Sequence, residues 1–170
     1  ETTPWSPHML YNSQTDKNSS YETQELDVQI TTPQLQKSLS PFIVEAGRKY
    51  FLNYAYTRES HIHDGGRNTM QMMSMFSAVR FNRYSPGQIM RQHHDHIHSL
   101  FDGKVKGVPV LTFILNLNDD YEGADLYFWE DTVVKLGKGD IVIFPSNWLY
   151  PHGVTSATKG KRYSASVWAW

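Results

Sequence analysis

Val108–Trp170 reads VPVLTFILNLNDDYEGADLYFWEDTVVKLGKGDIVIFPSNWLYPHGVTSATKGKRYSASVWAW, and its rhythm decides the fold. Apolar runs at 108–118, 124–129, 132–136, 140–144, 153–155 and 162–170 alternate with the turn clusters DDYEG, GKG, PSNWLYP and ATKGK. Short strands recurring at roughly 8–12 residues specify a sandwich, jelly roll or barrel, and argue against a parallel α/β sheet. Within the last run, Arg162, Ser164, Ser166 and Trp168 share one face by the two-residue period of a strand, and Tyr163, Ala165 and Val167 share the other. A guanidinium and two hydroxyls are poor filling for a dry core. They suit a pocket that receives a carboxylate, gripped by the fork of Arg162 with help from Ser164.

Upstream, residues 91–99 read RQHHDHIHS. On a strand His93 and Asp95 point the same way, about 6.5 Å apart along the backbone, so both can reach one ion. A third ligand must come from another strand, and His152 is the only histidine after His98. Two histidines and a carboxylate on one side of an octahedron leave positions open, the arrangement of non-haem Fe(II) oxygenases. The ligand set alone also admits zinc. An HxH register, His94 with His96 or His96 with His98, is the alternative and would suit a cupin-like binding module. Asn116 interrupts the apolar run LTFILNL and needs a partner or a pocket ligand. Tyr84, before the Ser85-Pro86-Gly87 turn, is placed to return its hydroxyl to the same pocket.

Residues 1–25 carry two prolines and a polar NSQTDKNSS run, and are expected to be a flexible or surface-draped lead-in that Trp5 and Leu10 pin to the body. LDVQI (26–30) predicts a short outer strand. Thr32 then caps a helical pattern, Pro33 fits its first turn, and Ser40-Pro41 repeats the start signal, so one or two helices run to about Tyr56. TRESHIHDGGRN (57–68) is loop-like. Its histidines belong to a surface loop or, about the Gly65-Gly66 hinge, to a substrate lid. Met72–Tyr84 predicts one or two strands, Ile89–His98 another, and Ser99–Gly107 a loop.

The whole suggests one domain of 170 residues, with 39% hydrophobic and 14% aromatic residues. A net charge of −1 gives no general attraction to nucleic acid or anionic membrane. The absence of cysteine removes thiolate metal sites and disulfides. The longest apolar run is too short to span a bilayer, and no charged-then-apolar leader opens the chain. A cytoplasmic, monomeric protein, bacterial or virus-encoded, is the expectation.

From Tyr84 to Trp168 the stretches YSPG, HHD, LNLNDDYEGADLYF, GKGDIVIFPS, YPHGV and GKRYSASVW follow in the order seen in one family. The chain resembles the prolyl 4-hydroxylase-type 2-oxoglutarate/Fe(II) dioxygenases. Ala124 stands at the second glycine of the usual pair, Asn116 where some prolyl hydroxylases carry tyrosine, and Arg162 in place of a lysine, as in bacterial, viral and oxygen-sensing branches. The resemblance implies a mainly β fold, a double-stranded β-helix (a cupin-like jelly roll) over 84–168, buttressed by N-terminal helices. It implies Fe(II) on His93, Asp95 and His152, and 2-oxoglutarate on Arg162 with Tyr84 and Ser164, Asn116 lying in the same pocket. Trp168 would form an aromatic wall near the substrate. O2 is the oxidant, ascorbate an accessory, and succinate and CO2 the co-products. The expected substrate is a prolyl residue of a peptide or protein; a free amino acid or other small molecule is the alternative.

Overall fold

Alternating residues on three neighbouring strands set the architecture of the chain, seen here in a computed structural model. Residues 4–12, 17–19, 25–53, 73, 75–95, 99–100, 105–106 and 108–170 are described. In chain order the strands are β1 (Ser6–Pro7), β2 (Leu10–Asn12), β3 (Lys17–Ser19), β4 (Asp27–Ile30), β5 (Arg80–Tyr84), β6 (Met90–His93), β7 (Ser99–Leu100) and β8 (Val105–Lys106). They continue with β9 (Leu111–Asn116), β10 (Glu122–Gly123), β11 (Leu126–Phe128), β12 (Thr132–Val134), β13 (Ile141–Pro145), β14 (His152–Val154), β15 (Ala157–Lys159) and β16 (Arg162–Ala169). Helix α1 spans Pro33–Asn53.

The larger sheet has the order β1-β4-β5-β16-β9-β13, and the smaller β12-β11-β14-β6. On the larger sheet, Leu111, Phe113, Ala165, Val167 and Ala169 pack outward with Phe51, Leu39, Ile43 and Ala46 of α1. The intervening residues face inward, where Tyr84 and Ile114 meet Met90, Leu126, Phe128 and Val154 of the smaller sheet. Two sheets closed over one interior, with a helix against the outer face, make the expected jelly roll.

Thr32 caps α1 through its hydroxyl, which accepts from the Leu35 amide at 3.4 Å. The helix continues through Pro41 as one element, within the expectation of one or two, and it is the helix that buttresses the sheet among the described residues. Proline in a helix interior costs about 3 kcal/mol, and the buried stripe on either side of it offsets that cost. Gly47 sets how closely the helix approaches: a Cβ there would meet the Met73 methyl at 2.9 Å and the Phe113 ring at 3.3 Å. No helix among the described residues is long and apolar enough to cross a membrane.

Several local expectations change. The strand expected over Ile89–His98 ends at His93. The loop over 99–107 contains the β7–β8 pair, and the DDYEG and ATKGK separators supply β10 and β15, which pair with each other. Among the described residues of the 72–84 stretch, regular strand structure runs over Arg80–Tyr84. The LDVQI strand, β4, is flanked on its outer side by β1. Part of the lead-in is anchored: the Trp5 ring meets that of Tyr163 at a tilt, centroids 6.2 Å apart, Arg83 sits 4.7 Å over the Trp5 ring, and His8 is buried. The Leu10 side chain and the lid expected at 57–68 lie outside what is described.

Candidate metal and cosubstrate site

Antiparallel pairing of β14 with β6 sets His152 directly opposite His93, their rings 4.4 Å apart between centroids. Asp95 lies two residues past the end of β6, so its direction comes from a side-chain bond rather than from strand alternation. Thr112 Oγ1 donates to Asp95 Oδ2 at 2.8 Å and also meets Ser146 Oγ at 2.8 Å. The carboxylate then faces both imidazoles, with Oδ1 3.3 Å from His93 Nε2 and Oδ2 3.5 Å from His152 Nε2. One potential donor atom from each residue falls in a group no more than 4.8 Å across.

The histidines are oriented from behind. His93 Nδ1 lies 2.8 Å from the Arg91 carbonyl and His152 Nδ1 3.0 Å from the Tyr150 carbonyl. A carbonyl only accepts, so each Nδ1 carries a proton and each Nε2 is the nitrogen turned inward toward the carboxylate. Burial, and then the charge of His93, lower the His152 pKa to about 4, with Asp95 opposing, so this ring is neutral at neutral pH. Burial works to raise the Asp95 pKa, but the bond with His93, the charges of His152 and His93, and the Thr112 hydroxyl together hold it well below the usual carboxylate range. Two imidazole nitrogens and one anionic carboxylate oxygen converging in this way suit a divalent transition metal. His152 and Asp95 are buried, whereas the His93 side chain is 24% exposed, so the trio opens on the His93 side. His94 is exposed, and His96 and His98 lie outside the described residues.

The far end of the same interior is cationic. Arg162 is 1% exposed. Its Nε donates to Asn116 Oδ1 at 2.9 Å and its Nη1 to the Ala124 carbonyl at 2.9 Å. The Tyr84 ring lies 5.6 Å and the Tyr121 ring 6.0 Å from the guanidinium carbon. Asn116 finds its partners in the protein: its amide donates to Asn118 O at 2.7 Å and Leu136 O at 3.0 Å, and its oxygen also accepts from Tyr121 at 3.3 Å. Burial raises the Tyr84 pKa, so its hydroxyl stays protonated. A cavity of about 440 Å³ reaches Arg162 past Tyr121, Ala124, Leu126 and Leu136, but its lining includes none of the three facing metal-type ligands.

Between the two ends, Asn82 donates to Ser166 Oγ at 2.8 Å and Ser164 Oγ at 3.3 Å, clipping β5 to β16. Trp168 is 2% exposed, with the Arg80 guanidinium 4.8 Å over its ring. Sequence reasoning singled out neither Thr112, Asn82 nor Arg80. The signal was the two-residue period, since Thr112 shares a face with Asn116, and Arg80 and Asn82 share one with Tyr84.

The description "2OG-Fe(II) oxygenase superfamily" belongs to a family model that matches residues 79–170. Among curated relatives, prolyl 4-hydroxylase 1 of Arabidopsis thaliana is 32% identical over 111 residues, covering 53% of this chain and 39% of that protein. A PKHD-type hydroxylase of Acinetobacter baumannii is 37% identical over 95 residues, covering 52% and 40%. The chain thus spans about two fifths of the length of the curated relatives it matches. Among solved structures, a Trichoplax adhaerens prolyl hydroxylase in complex with a hypoxia-inducible-factor peptide aligns at a TM-score of 0.61, with 17% identity and coverage of 98% and 70%. A Pseudomonas putida prolyl-4-hydroxylase aligns at 0.56, with 20% identity and coverage of 95% and 76%, so these two likenesses concern the fold. The family match spans more than half the chain and contains the facing trio and the buried arginine: the chain belongs to the 2OG-Fe(II) oxygenase superfamily and resembles its prolyl 4-hydroxylases.

Proposed function

We propose that the chain forms one domain, with its site over residues 84–168, that hydroxylates a prolyl residue of a peptide or protein at the expense of 2-oxoglutarate and O2. The observation that carries this reading is the pairing, inside one barrel, of a two-histidine, one-carboxylate trio with a buried arginine whose own contacts are uncharged. Bound Fe(II), with 2-oxoglutarate and O2, supplies the oxidation, one oxygen atom entering a C–H bond and the other leaving in succinate alongside CO2.

The protein's part is to hold and to exclude. His93, Asp95 and His152 hold the metal on one side and leave the other free. Thr112 and the two backbone carbonyls fix those ligands before metal arrives, so little reorganisation is needed on binding. Arg162 takes the carboxylate of 2-oxoglutarate remote from the metal, with Tyr84 and Ser164 assisting. Asn116 is a positioning residue, holding Arg162 by its Nε. Trp168 walls the metal end, and the apolar cluster of Phe128, Phe144 and Val154 keeps water from the interior.

The test is succinate formation from 2-oxoglutarate with Fe(II), ascorbate and proline-rich peptides, beside a control without peptide. Peptide-stimulated turnover, with one added oxygen on proline by mass spectrometry, is the expected result. Turnover indifferent to peptide would leave the oxygenase chemistry and refute the peptidyl-prolyl substrate. Iron binding without turnover would refute both.

A further inference from the structure

Arg80 begins β5 on the inward face, with Asn82 and Tyr84. The pairing of β5 with β16 sets Tyr84 opposite Arg162 and Arg80 opposite Ser166. Four residues of strand therefore separate the two arginine levels, roughly 13 Å along one polar row. Trp168 follows Ser166 on that face and pairs with Thr112, the residue that bonds Asp95. Arg162 thus stands at the closed end of the row, and Arg80 at the metal end.

The two arginines are held alike. Arg80 Nε donates to Asn82 Oδ1 at 3.0 Å, and its Nη1 lies 3.4 Å from His8 Nε2. Trp168 supports the flat of the guanidinium. Burial lowers the His8 pKa, so this neighbour, like Asn82 and Trp168, is neutral near pH 7. Asp95 is a carboxylate whose charge reaches Arg80, but it is already engaged by His93, His152 and Thr112. Glu25, beyond His8, pairs with Arg91 at 3.4 Å. Among the described residues, no carboxylate forms an ion pair with Arg80.

A half-buried cation held by neutral groups lacks a counter-charge, which a ligand can bring. 2-Oxoglutarate has one carboxylate remote from its keto acid, and Arg162 answers it. A second preorganised guanidinium, beside the metal, has no such use. We propose that Arg80 receives a carboxylate carried by the substrate, so that the hydroxylated residue bears a free carboxyl group, as the C-terminal residue of a peptide or protein does. This rests on the oxygenase reading and narrows it from a prolyl residue anywhere in a chain to one whose own carboxylate is free.

The experiment is calorimetric titration of the Fe(II)-loaded, 2-oxoglutarate-saturated protein under nitrogen, which stops turnover. The probes are N-acetyl-L-proline, which has a carboxylate, and N-acetyl-L-prolinamide, which does not. The wild type should bind the acid about tenfold or more tighter than the amide, the worth of a charge-assisted bond. Arg80→Gln should erase that preference while the affinity for 2-oxoglutarate stays within about twofold; Arg80→Lys should keep part of the preference. Arg83→Gln, on the outward face and paired with Asp27, should keep all of it. Equal binding of acid and amide by the wild type, or binding of neither, would overturn the proposal without any variant. So would an Arg80→Gln protein that loses 2-oxoglutarate affinity instead, because the carboxylate at Arg80 would then be the cosubstrate's. Wild-type protein that binds Fe(II) but not 2-oxoglutarate would overturn the oxygenase reading itself, a separate and recognisable failure.

Discussion

Replacing Arg162 with methionine tests the cosubstrate assignment at its strongest point. Arginine has five N–H donors, and the structure commits two of them, one to Asn116 and one to the Ala124 carbonyl. Three remain, and a carboxylate takes two in parallel. At about 1.5–3 kcal/mol for each charge-assisted bond, losing both removes about 3–6 kcal/mol, so the dissociation constant for 2-oxoglutarate should rise by roughly 10²–10⁴-fold. Folding should suffer much less. The variant leaves the Ala124 carbonyl without that donor, at about 1–3 kcal/mol, but it also removes a buried cation lacking a counter-charge, and the two effects oppose. Tyr121 still donates to Asn116. The assay is anaerobic titration of 2-oxoglutarate into Fe(II)-loaded protein, with thermal melts of the unliganded form. Wild-type affinity in a folded, iron-loaded Arg162→Met protein would refute the reasoning and return Arg162 to a structural role.

Three further outcomes follow from the geometry. Thr112→Val removes the hydroxyl that aims Asp95, so metal affinity should fall about 10–100-fold, with Thr112→Ser restoring most of it; an unchanged affinity by competitive chelator titration would show that Asp95 needs no such aim. Gly153→Ala would set a methyl 2.8 Å from the Met90 carbonyl and 2.5 Å from the Tyr127 hydroxyl, forcing β14 from β6. Denaturant unfolding should register a loss of about 1–3 kcal/mol, and metal binding should weaken because the two strands carry the facing histidines. In metal-free protein, His152 stays neutral until about pH 4, while in the unfolded chain it takes up a proton near pH 6.5. The unfolded state therefore binds more protons as the pH falls between those values. Stability should drop by up to roughly 3 kcal/mol over that window, and unfolding midpoints of His152→Gln should lack this component.

What was legible in the sequence was what periodicity carries. Strand alternation in RYSASVW gave the inward face of β16, and the apolar rhythm of 108–170 gave the sheets. His93 and His152 were readable because a ladder pair can bring two distant side chains together. Asp95 was paired with His93 for a reason that does not hold, since the strand stops at His93; its direction comes from Thr112, a contact between residues 17 positions apart. Helix α1 passes through Pro41 because a buried stripe outweighs a local breaker, which no local signal reveals. Strands of two residues, such as β7, β8 and β10, are too short to show a period. Asn116 drew notice as a polar residue in an apolar run, but only the tertiary structure shows that backbone carbonyls and Arg162 satisfy it.

The strand order of the larger sheet has a bearing on solubility. Among the described residues its outermost strands are β1 and β13, and each contains a proline, Pro7 and Pro145. Proline contributes no N–H, so at neither margin does the backbone offer an unbroken row of donors to a strand from another molecule. β1 is also only two residues long, a poor template for recruiting a neighbour. Pro7→Val or Pro145→Val would leave the interior untouched yet lengthen the sticky border, and aggregation during refolding is where that change would be felt.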